Sequence, residues 1–172
     1  MANTYQLIAS STVGSGGAAN IDFTSIPATY TDLCVLISPR SNRSATVDGL
    51  GVRFNNSTTN YSSVDIYGTG SGVGSQGNGG TTELSFWSVT GDTATANTFS
   101  NVCIYIPNYT AATGKSVSND GVDENNATAA YMGLDAGYWG DTAAITSVKL
   151  FPTIGTLFVQ YSTAYLYGIK KN

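Results

Sequence analysis

Apolar residues along this chain come in short runs broken by Gly, Asn, Ser, Thr or Pro, and inside the runs they alternate with polar or small residues. Leu50, Val52 and Phe54 alternate with Gly51 and Arg53, and Val102, Ile104 and Ile106 with Cys103 and Tyr105. A period of two is the repeat of a strand with one buried face. The pattern predicts strands near residues 5–11, 20–23, 32–39, 49–54, 62–67, 83–89, 99–106, 127–134, 145–151, 156–160 and 163–169. No apolar stripe persists at helical spacing for three turns. So many strands in 172 residues, with no shift in composition along the chain, predict one all-β domain over residues 1–172, a single-domain antiparallel β-sandwich. In the last strand Tyr165, Tyr167 and Ile169 share one face and Ala164, Leu166 and Gly168 the other, which predicts cover on both sides.

Three segments read as long loops. Residues 68–80 are mostly Gly and Ser, flexible by composition. Residues 108–126 carry Asp120, Asp123 and Glu124, and residues 135–141 set Tyr138 and Trp139 among glycines and two aspartates. Aromatic rings offer large contact area at low entropic cost. Tyr138 and Trp139 are therefore the candidate contacts to a partner or a glycan, whereas Trp87, following Leu84-Ser85-Phe86, is predicted to enter the core.

Composition changes this picture in one respect. Hydrophobic residues make up 41% of the chain but charged residues only 10%, against about 25% in an ordinary globular domain. A neutral exterior of Ser, Thr, Asn, Gly and Tyr loses little hydration energy when it meets another surface, which points to assembly or adhesion. The formal charge is −4 and the basic residues are dispersed, so the clustered cations that displace counterions from phosphates are missing and nucleic acid is not an expected partner. No stretch approaches a membrane span. The opening Met1-Ala2-Asn3-Thr4-Tyr5 lacks the features of a secretory signal, which predicts synthesis in the cytoplasm.

Candidate chemistry is sparse. Cys34 and Cys103 lie in apolar runs and read as buried free thiols, with pairing left open; with no histidine in the chain, neither has an imidazole base. Gly72-Val73-Gly74-Ser75-Gln76-Gly77 matches G-x-G-x-x-G, but a strand-like segment follows where that motif needs a helix N-terminus. Residues 119–125 gather hard oxygen ligands without calcium-loop spacing and read as a solvated acidic turn. Asp123 and Glu124 are adjacent, so on a strand they would point to opposite faces rather than flank a sugar bond. The sequons at Asn42, Asn55, Asn56, Asn60, Asn108 and Asn126 are expected by chance. No catalytic residue, cofactor or metal site is expected.

Leu7-Ile8 followed by a Gly/Ser turn, residues 21–33, Arg40, Phe54-Asn55, Asn60-Tyr61-Ser62 and the closing Tyr165-Leu166-Tyr167-Gly168-Ile169 resemble small virion structural proteins of tailed bacteriophages. The resemblance is specific mainly at the two ends of the chain. It implies a jelly-roll type of sandwich, a homotrimer, location in the virion, and no enzymatic activity. It also implies a capsid decoration or cement protein that binds and stabilises the assembled shell, with the major capsid protein as partner. The alternative it allows is a tail-fibre or receptor-binding module that recognises a host surface glycan.

Overall fold

The computed structural model describes residues 4–126 and 129–170. All regular structure among them is β: β1 (Tyr5–Thr12), β2 (Ile21–Phe23), β3 (Asp32–Ser38), β4 (Val47–Phe54), β5 (Tyr61–Gly68), β6 (Val73–Thr81), β7 (Leu84–Thr90), β8 (Asn101–Ile106), β9 (Lys115–Asp123), β10 (Tyr131–Trp139), β11 (Val148–Pro152) and β12 (Thr163–Ile169). They form an eight-stranded sheet, β1-β12-β3-β8-β9-β10-β5-β6, and a four-stranded sheet, β2-β11-β4-β7, packed as a sandwich. Every ladder is antiparallel.

The strand order separates a basic sandwich from an addition to it. Strands β1-β12-β3-β8 facing β2-β11-β4-β7 have an order compatible with a jelly roll, the chain passing from one sheet to the other at nearly every connection. The hairpin β5–β6 is inserted between β4 and β7, and β9–β10 between β8 and β11. These four strands pair with one another and extend the larger sheet past β8. The two ends of the chain meet: β12 lies between β1 and β3, with Tyr5 opposite Ile169 and Leu166 opposite Val35.

Alternation fills the space between the sheets. Leu33, Val35 and Ile37 of β3, Leu50, Val52 and Phe54 of β4, and Val102, Ile104 and Ile106 of β8 are all buried. Two buried charges fasten connections to this core. Arg40 donates to the carbonyls of Asp92, Ala94, Thr95 and Thr98 at 2.8–3.1 Å, closing the β7–β8 loop around its guanidinium. Asp48 accepts from the Ser41 hydroxyl (2.7 Å) and from the amides of Gly49, Ile154 and Gly155 (2.8, 3.2 and 2.9 Å). Hydrogen bonds of this kind are what allow an ionised group to be buried.

Five expectations about strands and loops need correction. Residues 68–80 are a turn followed by β6, paired to β5 from Gly68 opposite Val73 to Tyr61 opposite Thr81. Residues 108–126 contain β9, and residues 135–139 complete β10. Ladder hydrogen bonds override weak intrinsic propensity here, which is why glycines and asparagines occupy strand positions. Residues 156–160 form no strand; Phe158 instead makes single bridges to Ala18 and Ser41. The strand placed at residues 127–134 begins at Tyr131, and Ala127 and Thr128 lie outside the described residues.

Candidate interaction surface

The extension β9-β10-β5-β6 is built inside out. On β10 the outward positions are Met132, Leu134, Ala136 and Tyr138, and the inward ones Gly133, Asp135, Gly137 and Trp139. On β5 Val64 and Ile66 point outward while Ser63 and Asp65 are buried, and on β9 Asn119, Gly121 and Asp123 are buried while Val122 is exposed. Ile66, Met132 and Leu134 are each about 60% exposed. A domain that is solvated on this side would carry the reverse pattern.

The outward face continues across the whole sheet. One row of directly opposed residues runs Leu7, Tyr167, Cys34, Tyr105, Ser118, Ala136, Val64, Gly77. The next runs Ser10, Tyr165, Leu36, Cys103, Asp120, Leu134, Ile66, Ser75. A shorter third row is Asn101, Val122, Met132, Gly68, Val73. Asp120 is the only charged residue in all three. Strands about 4.8 Å apart, with roughly seven residues of each at about 3.3 Å per residue, give eight strands a projected face of roughly 800 Å². A standard specific interface takes about that area from each partner.

Cys34 and Cys103 lie diagonally on this face with their sulfurs 3.9 Å apart, both free thiols. Burial, and then Cys103, push the Cys34 thiol up to about 12, so it stays protonated and unreactive near neutrality. The β12 strand is covered on one side only: Ala164 and Leu166 are fully buried, while Tyr165 is 39% exposed.

Tyr138 and Trp139 do not act together. Tyr138 is on the outward face, its ring laid over Gly114, where an added Cβ would sit 2.0 Å from the hydroxyl oxygen. Trp139 is 1% exposed, stacked on Tyr61 (centroids 6.0 Å apart, 15°) and packed against Phe54 at 5.6 Å. Its neighbour Lys115 is buried too, with Nζ 5.8 Å from the Trp139 ring. Trp139 is thus withdrawn as a contact residue. Trp87, expected in the core, is only half-buried, with the Arg43 guanidinium 5.8 Å above its ring. Adjacent strand residues face opposite ways, so register put Trp139 in the core and left Trp87 half-buried, the reverse of what their sequence neighbours suggested.

Between the extension and β7 lies a polar layer. Asp65 is opposite Asp135, and Asp135 is opposite Asn119, whose Nδ2 donates to Asp135 Oδ2 at 2.6 Å. Burial raises the carboxyls of Asp135 and Asp123 to about 7, with further increments from Asp65 on Asp135 and from Asp135 on Asp123. Burial raises Asp65 as well. Asp65 Oδ2, Asn119 Oδ1, Ser88 Oγ and both Asp123 oxygens lack a hydrogen-bond partner. Ser100 lowers Asp123 only partially, being committed to Thr90 at 2.6 and 2.9 Å. The segment 119–125 is therefore no solvated acidic turn. It is mostly strand, its side chains alternate between faces, and among the described residues no group of carboxylates or thiols converges as a metal-binding cluster.

No protein-family model matches the chain, and no curated protein matches it.

Proposed function

We propose that this protein is a non-enzymatic virion structural protein of the capsid-decoration type, and that it docks through the outward face of its eight-stranded sheet. The observation that carries this reading is the inversion of the extension, which leaves Val64, Ile66, Val122, Met132 and Leu134 exposed while Asp65, Asp123 and Asp135 are buried. Contiguous apolar surface on this scale marks an interaction site. The nearly uncharged rows meet a partner without stripping water from ions. The resemblance of the chain ends to phage virion proteins supplies the partner class: the major capsid protein, with further copies of this chain in a homotrimer. A protein that binds only the assembled shell stabilises it by mass action.

The second reading, a tail-fibre or receptor-binding module, no longer draws support from a Tyr138–Trp139 pair, since only Tyr138 is exposed. The two readings differ in stoichiometry. Quantitative mass spectrometry of purified virions is expected to count hundreds of copies per particle. A handful of copies would transfer the protein to a fibre, and its absence from the particle would overturn both readings.

A further inference from the structure

The extension overhangs the smaller sheet. That sheet ends at β7, which packs against β9, β10 and β5, and β6 continues past it, so the inward side of this edge faces an open cleft of about 380 Å³. Tyr67, Gln76 and Tyr131 line it from the extension, and Arg43 and Trp87 from the β3–β4 connection and β7. It lies on the side of the extension opposite the docking face and stays open when that face is covered.

The cleft holds two kinds of recognition chemistry. Tyr67 and Tyr131 are stacked with centroids 5.6 Å apart at 12°, and Trp87 is half-buried in the same cleft. Flat aromatic surface of this sort takes the apolar face of a sugar ring, and the exposed Gln76 amide supplies both a donor and an acceptor for hydroxyls. Arg43 supplies the second kind. Its Nη1 donates to the Val47 carbonyl at 2.8 Å and its guanidinium lies over Trp87, but it has no carboxylate partner. Among the described residues the ion pairs are Arg53–Glu83 and Lys149–Asp22. In a chain with a formal charge of −4, an unpaired guanidinium facing a cleft stands out. Its planar fork matches a carboxylate. Asp65, Asp123 and Asp135 stand behind the same wall, and burial favours their neutral, protonated forms, so they oppose an anion in the cleft less than free carboxylates would. One guanidinium balances one negative charge, which favours a singly charged ligand over a phosphate or a polyanion.

We propose that the cleft between Arg43–Trp87 and Tyr67–Gln76–Tyr131 binds a carboxylate-bearing saccharide, with the ring on the aromatics and the carboxylate on Arg43. The site is independent of what covers the outward face, so its failure would leave the docking proposal standing.

The chain has two tryptophans, and Trp139 is 1% exposed, so a change in indole fluorescence reports chiefly on Trp87. The intact protein is titrated with oligosaccharides ending in glucuronate or N-acetylneuraminate, with neutral oligosaccharides ending in glucose or galactose, and with a galactose 6-sulfate terminus. The acidic sugars are expected to shift the fluorescence and to bind at least tenfold more tightly than the neutral ones. Arg43→Gln is expected to remove that preference and leave neutral-sugar binding within about twofold. Should Arg43→Gln fail a thermal-melt check of folding, the preference of the wild-type protein and its fluorescence response decide alone. Equal binding of acidic and neutral sugars, no binding up to 10 mM, tighter binding of the sulfated sugar, or a folded Arg43→Gln protein that keeps the preference would each overturn the proposal.

Discussion

At the scale of single residues, neighbours in sequence carry opposite duties. Trp139 fills the space between Phe54 and Tyr61, while Tyr138 stands 47% exposed on the other side of the same strand. Removing a buried indole leaves a cavity, so Trp139→Ala is expected to cost about 3–5 kcal/mol in a denaturant titration. Tyr138→Ala is expected to stay within about 0.5 kcal/mol, as an exposed site does. Equal effects from the two would contradict the register of β10. The asparagines of the chain show the same local logic. Asn55, Asn56, Asn60, Asn108 and Asn126 adopt positive φ between 48° and 68°, the conformation Asn tolerates best among residues with a Cβ. Their sequon context is incidental to that turn role.

At the scale of elements, the extension is held to β7 through a layer that resists ionisation. Gly121 permits the contact: an added Cβ there would sit 2.3 Å from Ser88 Oγ. The carboxyls of Asp123 and Asp135 titrate near 7 when folded against 3.8 as the ordinary value. A raised acid binds its proton more tightly in the folded state. Its contribution is fully present below the unfolded value and is lost as pH rises through the folded one. Stability is therefore expected to fall between about pH 4 and pH 7 and to level off above. Asp135→Asn removes one of these groups, and its introduced amide can donate to the unpartnered Asn119 Oδ1. We expect the variant to be more stable than wild type by about 1–3 kcal/mol at pH 8 and to show a shallower pH profile in thermal melts. A variant less stable at pH 8 than at pH 5 by the wild-type margin would contradict the buried-acid layer.

At the scale of the whole molecule, the sandwich was legible in the sequence and the interaction surface was not, for one physical reason. Where a strand has one buried apolar face, as β4 and β8 do, the period of two identifies both the strand and its core side. In the extension Val64, Ile66, Met132 and Leu134 face out while glycines and carboxylates share the inward face with Tyr61, Val117 and Trp139, so hydropathy gave no strand signal for β6 or β9, and Trp139, set among glycines, read as a loop residue. The composition did register the consequence, since a chain with only 10% charged residues has to place neutral surface somewhere. Strand order shows where: on one continuous outward face opposite the cleft.

The central claim is that this face is covered in the working assembly. Ile66→Glu together with Leu134→Glu places two charges in one row on directly opposed strands, both at sites about 60% exposed, where the isolated fold is expected to tolerate them. The direct measurement is co-sedimentation of purified protein with cognate shells that lack it. Wild-type protein is expected to sediment with the shells, and the double variant, with its melting temperature unchanged, to remain in the supernatant. A double variant that sediments with the shells as wild type does would contradict the account.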